Sequence, residues 1–239
     1  MVQCRLQGNL EFAAATGNDP LIPVHPLQIP VGLAVLLDPR LAADPVYGVS
    51  AMSLAMVTIS SGYFTYDLVT VLLRFDVEGA QFLLHALCCL FVYGYAVFFG
   101  TLHWFGAAFL MWELSTPFVH IRWFLHAKGL GNTALYLANG LTMVFVFFCC
   151  RNVWGTWCSY YFFNATQKEL DTPREGGFSS AGIWGYRIAN VSLNALNALW
   201  FWKMASKAAR LLAGGKEDTH SKKRAHEQST EGGQGKKQR

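Results

Sequence analysis

Between residues 49 and 203 the chain repeats one pattern: an apolar stretch of 18–25 residues with at most two charged side chains, then a short polar break. A bilayer core about 30 Å thick takes about 20 helical residues to cross. Hydrocarbon offers no partner to a bare N–H or C=O, so a spanning segment must be a helix or part of a closed barrel. These stretches show no strict alternation of apolar and polar residues, so helices are expected. They run over 49–73, 80–99, 105–124, 133–150 and 179–203. Trp154–Phe163 is aromatic enough to extend the fourth segment or to lie at the membrane interface. The fold class expected is therefore all-α: a polytopic membrane bundle of five transmembrane helices. A partial N-terminal one, broken by Pro20, Pro23, Pro26 and Pro30, would precede them.

Charge supports this reading. Asp, Glu, Lys and Arg make up 14% of the chain, against about 25% in a soluble domain. Residues 216–239 hold seven Lys/Arg and four Asp/Glu, which leaves too few charges to cover a soluble surface. A cytosolic enzyme and a nucleic-acid-binding body are both disfavoured. The expected organisation is an atypical segment 1–24, a transmembrane domain 25–210 and a disordered basic tail 211–239. No secretory signal is visible in the first twenty residues.

Cytosolic flanks of membrane helices are rich in Lys and Arg. Lys203, Lys207 and Arg210 follow the fifth segment and lead into the basic tail, so the C-terminus is expected in the cytosol. Alternation then puts 74–79 and 122–132 on the cytosolic side and 151–178 on the other, despite Arg151, Lys168 and Arg174. The chain closes on Lys236-Lys237-Gln238-Arg239, similar to a dilysine retrieval signal of the endoplasmic reticulum. Asn164-Ala-Thr166 is a glycosylation sequon expected to go unused beside the membrane.

Ionisable residues within membrane segments are costly and mark function by default. Asp67, His85 and Glu113 sit on three different segments, at depths of ~9, ~8 and ~14 Å from the cytosolic face at 1.5 Å per residue. They are the candidate catalytic residues. Each also has a structural reading: Asp67 paired with Arg74 or a tyrosine, His85 as an interhelical hydrogen-bonder, Glu113 bonded to Ser115 or Thr116 or to an adjacent helix. Pro117, four residues after Glu113, should kink the segment and free the Glu113 carbonyl. Arg187, Asn190, Asn194 and Asn197 follow one helical face and, with Arg122, are the candidate substrate-binding residues. That stripe is either glue between helices or the lining of a cavity for a lipid headgroup.

The six cysteines show no metal-binding spacing and are expected as small, soft packing residues of membrane helices, with acylation of Cys149 or Cys150 near a helix end as the alternative. Phosphate-binding, serine-hydrolase and zinc-protease motifs are absent, so no cofactor or metal is expected.

Five stretches together, LLDPRLAADPVYG (36–48), SGYFTYDL (61–68), FLLHALCCLFVY (82–93), ELSTPFVHIRWF (113–124) and NALWFWKM (197–204), resemble the TLC domain family, which includes translocon-associated proteins and ceramide synthases. The resemblance covers about His25 to Lys207. It implies a multi-helix domain around a central cavity, in endoplasmic-reticulum or related membranes, often built from six helices. In ceramide synthases it also implies acyl transfer from acyl-CoA to a sphingoid amine, tied to an adjacent histidine pair. His85 stands at the first position of that pair and Ala86 at the second. Three readings stay open: a lipid-homeostasis protein that binds or senses a membrane lipid, a ceramide synthase-like N-acyltransferase using acyl-CoA, and a translocon-associated or structural membrane protein. The partner expected is a membrane lipid, with acyl-CoA under the second reading. The oligomeric state is not legible.

Overall fold

A computed structural model describes residues 25–234 of the chain; the expected N-terminal segment 1–24 and the Lys236-Lys237 pair lie outside the described residues. Among the described residues there are helices and no strands. The chain divides into two compact units, residues 1–199 and residues 200–239. The site discussed below lies wholly in the first.

The first helix, α1 (His25–Leu36), is the expected partial segment, followed by the short α2 (Pro39–Ala43). Helix α3 (Ala51–Leu73) opens on a capping box, Ser50 and Ser53 bonding each other's backbone amides, which satisfies donors that a helix start leaves open. A turn containing α4 (Phe75–Glu78) and Gly79, at φ +78°, reverses the chain into α5 (Ala80–Phe99). Helices α3 and α5 pack against each other along much of their length. Their apolar outer faces stay exposed, Phe98 at 84% and Leu73 at 76%, which suits lipid rather than water.

The next segment departs from the expected single span. It forms α6 (His103–Leu110), a 3-10 segment (Met111–Ser115) and α7 (Thr116–Ala127). Every residue of α6 except Phe109 is buried, as a helix that is apolar all round must be. It is surrounded by α1, α3, α5 and the helix that begins at Trp154. The break follows from Pro117. Proline offers no N–H to the Glu113 carbonyl four residues back. The expectation was a freed carbonyl at 113; instead the Thr116 amide bonds it, and this tightens the turn to 3-10 spacing.

The stretch 151–178, expected as a mixed connection on the non-cytosolic side, is mostly helix. α8 (Ala134–Phe147), a π segment (Phe148–Val153) and α9 (Trp154–Asp171) form one continuous 38-residue rod, about 57 Å long at 1.5 Å per residue. Trp154–Phe163 thus extends the fourth segment. The sequon threonine, Thr166, is completely buried in α9. Three helices among the described residues are long and apolar enough to cross a membrane: Ala51–Leu73, Ala80–Phe99 and Ala134–Asp171.

The last helix, α10 (Ser180–Gln234), starts where the fifth segment was expected. Arg187 meets Thr166, and Asn194 meets Ser159. Each pair of numbers sums to 353, so α10 runs antiparallel to α9. The second unit, residues 200–239, takes in the expected tail, whose backbone is helical as far as Gln234.

Candidate functional site

Two backbone irregularities face each other at the centre of the first unit. The Thr116 amide has been drawn to Glu113, so the Trp112 carbonyl loses its α-helical donor. Arg151 Nε (3.0 Å), the Ser115 hydroxyl (3.3 Å) and the Cys150 thiol (3.6 Å) donate to it instead. The π segment adds a residue to one turn, which is a common way to re-aim side chains. Here it buries the adjacent Cys150 and Arg151 together. Arg151 Nη2 pairs with Glu113 Oε1 at 3.2 Å, and its Nη1 donates to Asn197 Oδ1 at 3.2 Å. Thr116 donates to Glu113 Oε2 at 2.5 Å. The guanidinium also lies over the Phe147 ring, 5.0 Å from its centre. The ion pair is 9% and 14% exposed at its two side chains. It joins the broken segment to the rod, and Asn197 carries the link to α10.

A crevice of about 50 Å³ opens beside this network, lined by residues of α3, α5, α6, the 3-10 segment, α9 and α10. Its walls are largely aromatic: Phe64, Tyr93, Phe105, Phe109, Trp112, Phe162 and Tyr186. Its polar groups include His85, Glu113 and Asn190. A buried water needs some 10–15 Å³, so the crevice has room for about three to five water-sized groups. Phe64 sets its ring edge-on to His85 with centroids 6.4 Å apart. Cys89, one turn on from His85, brings its sulfur within 3.7 Å of Nε2.

The structure therefore brings His85, Glu113 and Asn190 to one cavity. Asp67 is buried on α3 but does not line it. Arg187 points to α9: it donates to Thr166 Oγ1 (3.1 Å), the Phe163 carbonyl (3.2 Å) and Gln167 Oε1 (3.1 Å). Asn194 donates to Ser159 and to Asn190, and Asn197 serves Arg151. Of the polar stripe, only Asn190 reaches the cavity; the rest bonds neighbouring helices. Arg122 lies elsewhere, stacked 4.0 Å over Tyr136 between α7 and α8. Its guanidinium occupies the space that a Cβ on Gly140 would need.

Sequence reasoning put Arg151 in a connection on the non-cytosolic side, whereas it lies inside the continuous helix Ala134–Asp171 and is buried. A signal for it existed. Trp154–Phe163 continues the apolar helix, which leaves Arg151 mid-helix, where an arginine demands a carboxylate; Glu113 is the acidic residue of the preceding segment. His103 also went unmarked. It is fully buried: Nε2 faces the Ala96 carbonyl at 3.0 Å, and Nδ1 meets the Ser53 hydroxyl at 2.9 Å. It ties the start of α3 to the end of α5. Beside it, Leu102 takes φ +61°, a strained conformation for leucine, held by its amide bond to the Val46 carbonyl at 2.7 Å.

Outside the membrane segments a second polar cluster closes the loop after α9 onto the DPRLAADPVYG stretch. Tyr47 donates to Glu169 Oε2 (2.7 Å) and accepts from the Phe178 amide (2.9 Å). Arg174 bonds Asp44 at 2.9 Å and lies 4.3 Å over the Tyr47 ring. Burial alone would push the Asp44 carboxyl up, but the Arg174 guanidinium and the Tyr47 amide outweigh it and hold it below the ordinary value. Burial, the larger cause, and then the Glu169 carboxylate raise the Tyr47 phenol.

Residues 29–206 match the family described as TLC domain. TLC domain-containing protein 4-B of Danio rerio is 32% identical over 199 residues, 80% of this chain and 72% of that protein. Topoisomerase I damage affected protein 4 of Saccharomyces cerevisiae is 33% identical over 197 residues, 79% of this chain and 68% of that protein. An uncharacterized TLC domain-containing protein of Schizosaccharomyces pombe is 30% identical over 189 residues, 79% of this chain. The chain spans 63% of that relative's length. No solved structure matches the chain.

Proposed function

The chain belongs to the TLC domain family, and from that premise we propose that this integral membrane protein holds a single membrane lipid at its central crevice. The observation that carries the reading is the meeting of His85, Glu113 and Asn190 at one otherwise apolar cavity rich in aromatic rings. An imidazole, a carboxylate and an amide can hydrogen-bond the tip of a headgroup small enough for a crevice of about 50 Å³, with the lipid's chains left outside it. A binding site of this kind is mostly apolar with a few convergent polar groups. Arg151 supports it from behind by fixing Glu113, and Asn194 does the same for Asn190. Asp67, Arg122 and Arg187 take no direct part in this proposal.

The test is photo-crosslinking of the reconstituted protein with a diazirine phospholipid and a diazirine sphingolipid. Saturable labelling of peptides within 82–93 and 105–113, lost in His85→Ala and Asn190→Leu, is the expected result. Labelling that neither variant changes would remove the cavity from the account.

The catalytic alternative draws on one feature: an imidazole and a carboxylate that line the same cavity. His85 would then take the proton of an amine attacking the acyl-CoA thioester and return it to the coenzyme A thiolate as the C–S bond breaks. Purified protein given acyl-CoA and a sphingoid base should yield amide above a His85→Ala control; equal yields would end that reading. Both readings place the protein in the endoplasmic reticulum with a cytosolic C-terminus. Replacing Lys236 and Lys237 by serine should release it to later compartments.

A further inference from the structure

From residue 114 to residue 168 the sequence holds no Asp or Glu. Of the Lys and Arg in that span, Arg151 is taken up by Glu113, and Lys168 lies at the far end of α9. The other two, Arg122 and Lys128, sit where α7 turns into α8. Arg122 is half-buried, its guanidinium 4.0 Å over the Tyr136 ring and packed against Gly140. Among the described residues no carboxylate and no hydrogen-bond acceptor meets it. His126, one turn on from Arg122, sets its ring 6.3 Å from the same tyrosine. Lys128 is exposed, with Nζ 5.7 Å over Phe124. Asn139 donates to the Phe118 carbonyl at 2.9 Å and fixes the two helices at this spacing.

Depth narrows which anion can reach the guanidinium. Tyr136 and Gly140 are three and seven residues past Thr133, the cap of α8, or about 5–10 Å at 1.5 Å per residue. The headgroup layer on one side of a bilayer is about 5–8 Å deep. With the cap at the water boundary, Arg122 lies at the level of lipid phosphates, where an unpaired charge is costly. Leu137 and Leu141, next in sequence to Tyr136 and Gly140, are exposed, as is Phe124, so an apolar surface for acyl chains adjoins the cation. This end of the molecule is the one expected to face the cytosol, and basic pockets between membrane helices on that side suit anionic headgroups.

We infer that the groove between α7 and α8 holds an anionic glycerophospholipid of the membrane. Its phosphate takes the free edge of the Arg122 guanidinium, with His126 and Lys128 at the rim, and its chains lie over Leu137 and Leu141. A guanidinium matches two phosphate oxygens at once, and the Tyr136 stack holds it in place beforehand. Two positive charges without a carboxylate favour a lipid of net negative charge over one that brings its own cation.

The experiment uses the full chain in phosphatidylcholine nanodiscs doped with phosphatidic acid that carries a diazirine in its acyl chain. Expected is saturable labelling of peptides within 121–141, competed by unlabelled phosphatidic acid, and far less labelling by a diazirine phosphatidylcholine at the same content. Lys128→Gln, at an exposed position, should weaken apparent binding about 5-fold, and Arg122→Gln about 10-fold or more. Arg122→Lys returns the charge without the fork and should fall between Arg122→Gln and wild type. Thermal melts separate lost binding from lost fold, and should Arg122→Gln fail to fold, Lys128→Gln decides. Equal labelling by the two probes overturns the inference, as does a Lys128→Gln protein that binds like the wild type. So does inorganic phosphate that competes as well as the lipid, which would mark a site for a free anion. The central crevice is read through peptides within 82–93 and 105–113, so either site can fail alone.

Discussion

Replacing Arg151 by methionine tests the central network. The change keeps length and removes the guanidinium that holds Glu113, the Trp112 carbonyl and Asn197 together. Both side chains of the pair are largely removed from solvent, at 9% and 14% exposure, so screening takes little away. Removing one partner of a buried ion pair costs about 3–5 kcal/mol. For a domain of this size each kcal/mol moves the transition by about 2–4 °C, so the midpoint should fall by roughly 6–20 °C. The logic is sharpest in a double-mutant cycle. Glu113→Gln alone leaves the arginine buried without its carboxylate and should also destabilise. The double variant, with both charges gone, should recover at least ~2 kcal/mol relative to the sum of the singles, because contacting charges couple strongly. The assay is thermal unfolding in detergent, followed by tryptophan fluorescence. A single variant within 2 °C of wild type, or a double variant equal to the sum (about zero coupling), refutes the claim that this pair fastens the broken helix to the rod.

Other outcomes follow from local geometry. A Cβ on Gly155 would sit 2.6 Å from Trp112 Nε1, so Gly155→Ala should cost about 1–3 kcal/mol by overpacking. Gly62→Ala has nothing within 4 Å and should gain up to about 1 kcal/mol; parallel melts that reverse this order would contradict the packing. Tyr47→Phe removes bonds to Glu169 and the Phe178 amide and should cost about 1–3 kcal/mol, seen as faster trypsin cleavage after Arg174. Asp44 titrates below its ordinary 3.8 when folded. Its contribution is therefore complete above that value and lost as pH falls through the lower, folded one. Hydrogen exchange of residues 172–178 should rise across that acidic window, and Arg174→Gln should flatten the dependence.

Particular residues show how far the sequence could be read. The helices around Asp67 and His85 were legible because a bilayer imposes a length and forbids unsatisfied backbone. The start of α10 was legible for the same reason, whereas the helix His25–Leu36, too short for a span and interrupted by Pro30, was expected only as a partial segment. The break at Met111–Ser115 was half legible: Pro117 announced a disturbance but not its form. Whether the Glu113 carbonyl stays open depends on the Thr116 amide, a choice that neighbouring helices settle. Arg151 was misplaced because a charge between two apolar stretches looks like a boundary. A buried partner reverses that reading, and partners separated by 38 positions are not visible along a chain. The polar stripe on α10 was seen as a face, but Arg187, Asn194 and Asn197 turned to α9 and Arg151, leaving Asn190 for the cavity.

Composition and periodicity by themselves determined that this protein is helical and lives in a membrane, since backbone hydrogen bonding in hydrocarbon leaves few alternatives. Which intramembrane polar groups meet was decided only in three dimensions. Within a bilayer lipid tails are as apolar as the side chains, so burial no longer selects among packings. The selection falls to close fit and to specific polar bonds, such as Arg151 with Glu113 and His103 with Ser53, between residues far apart in sequence.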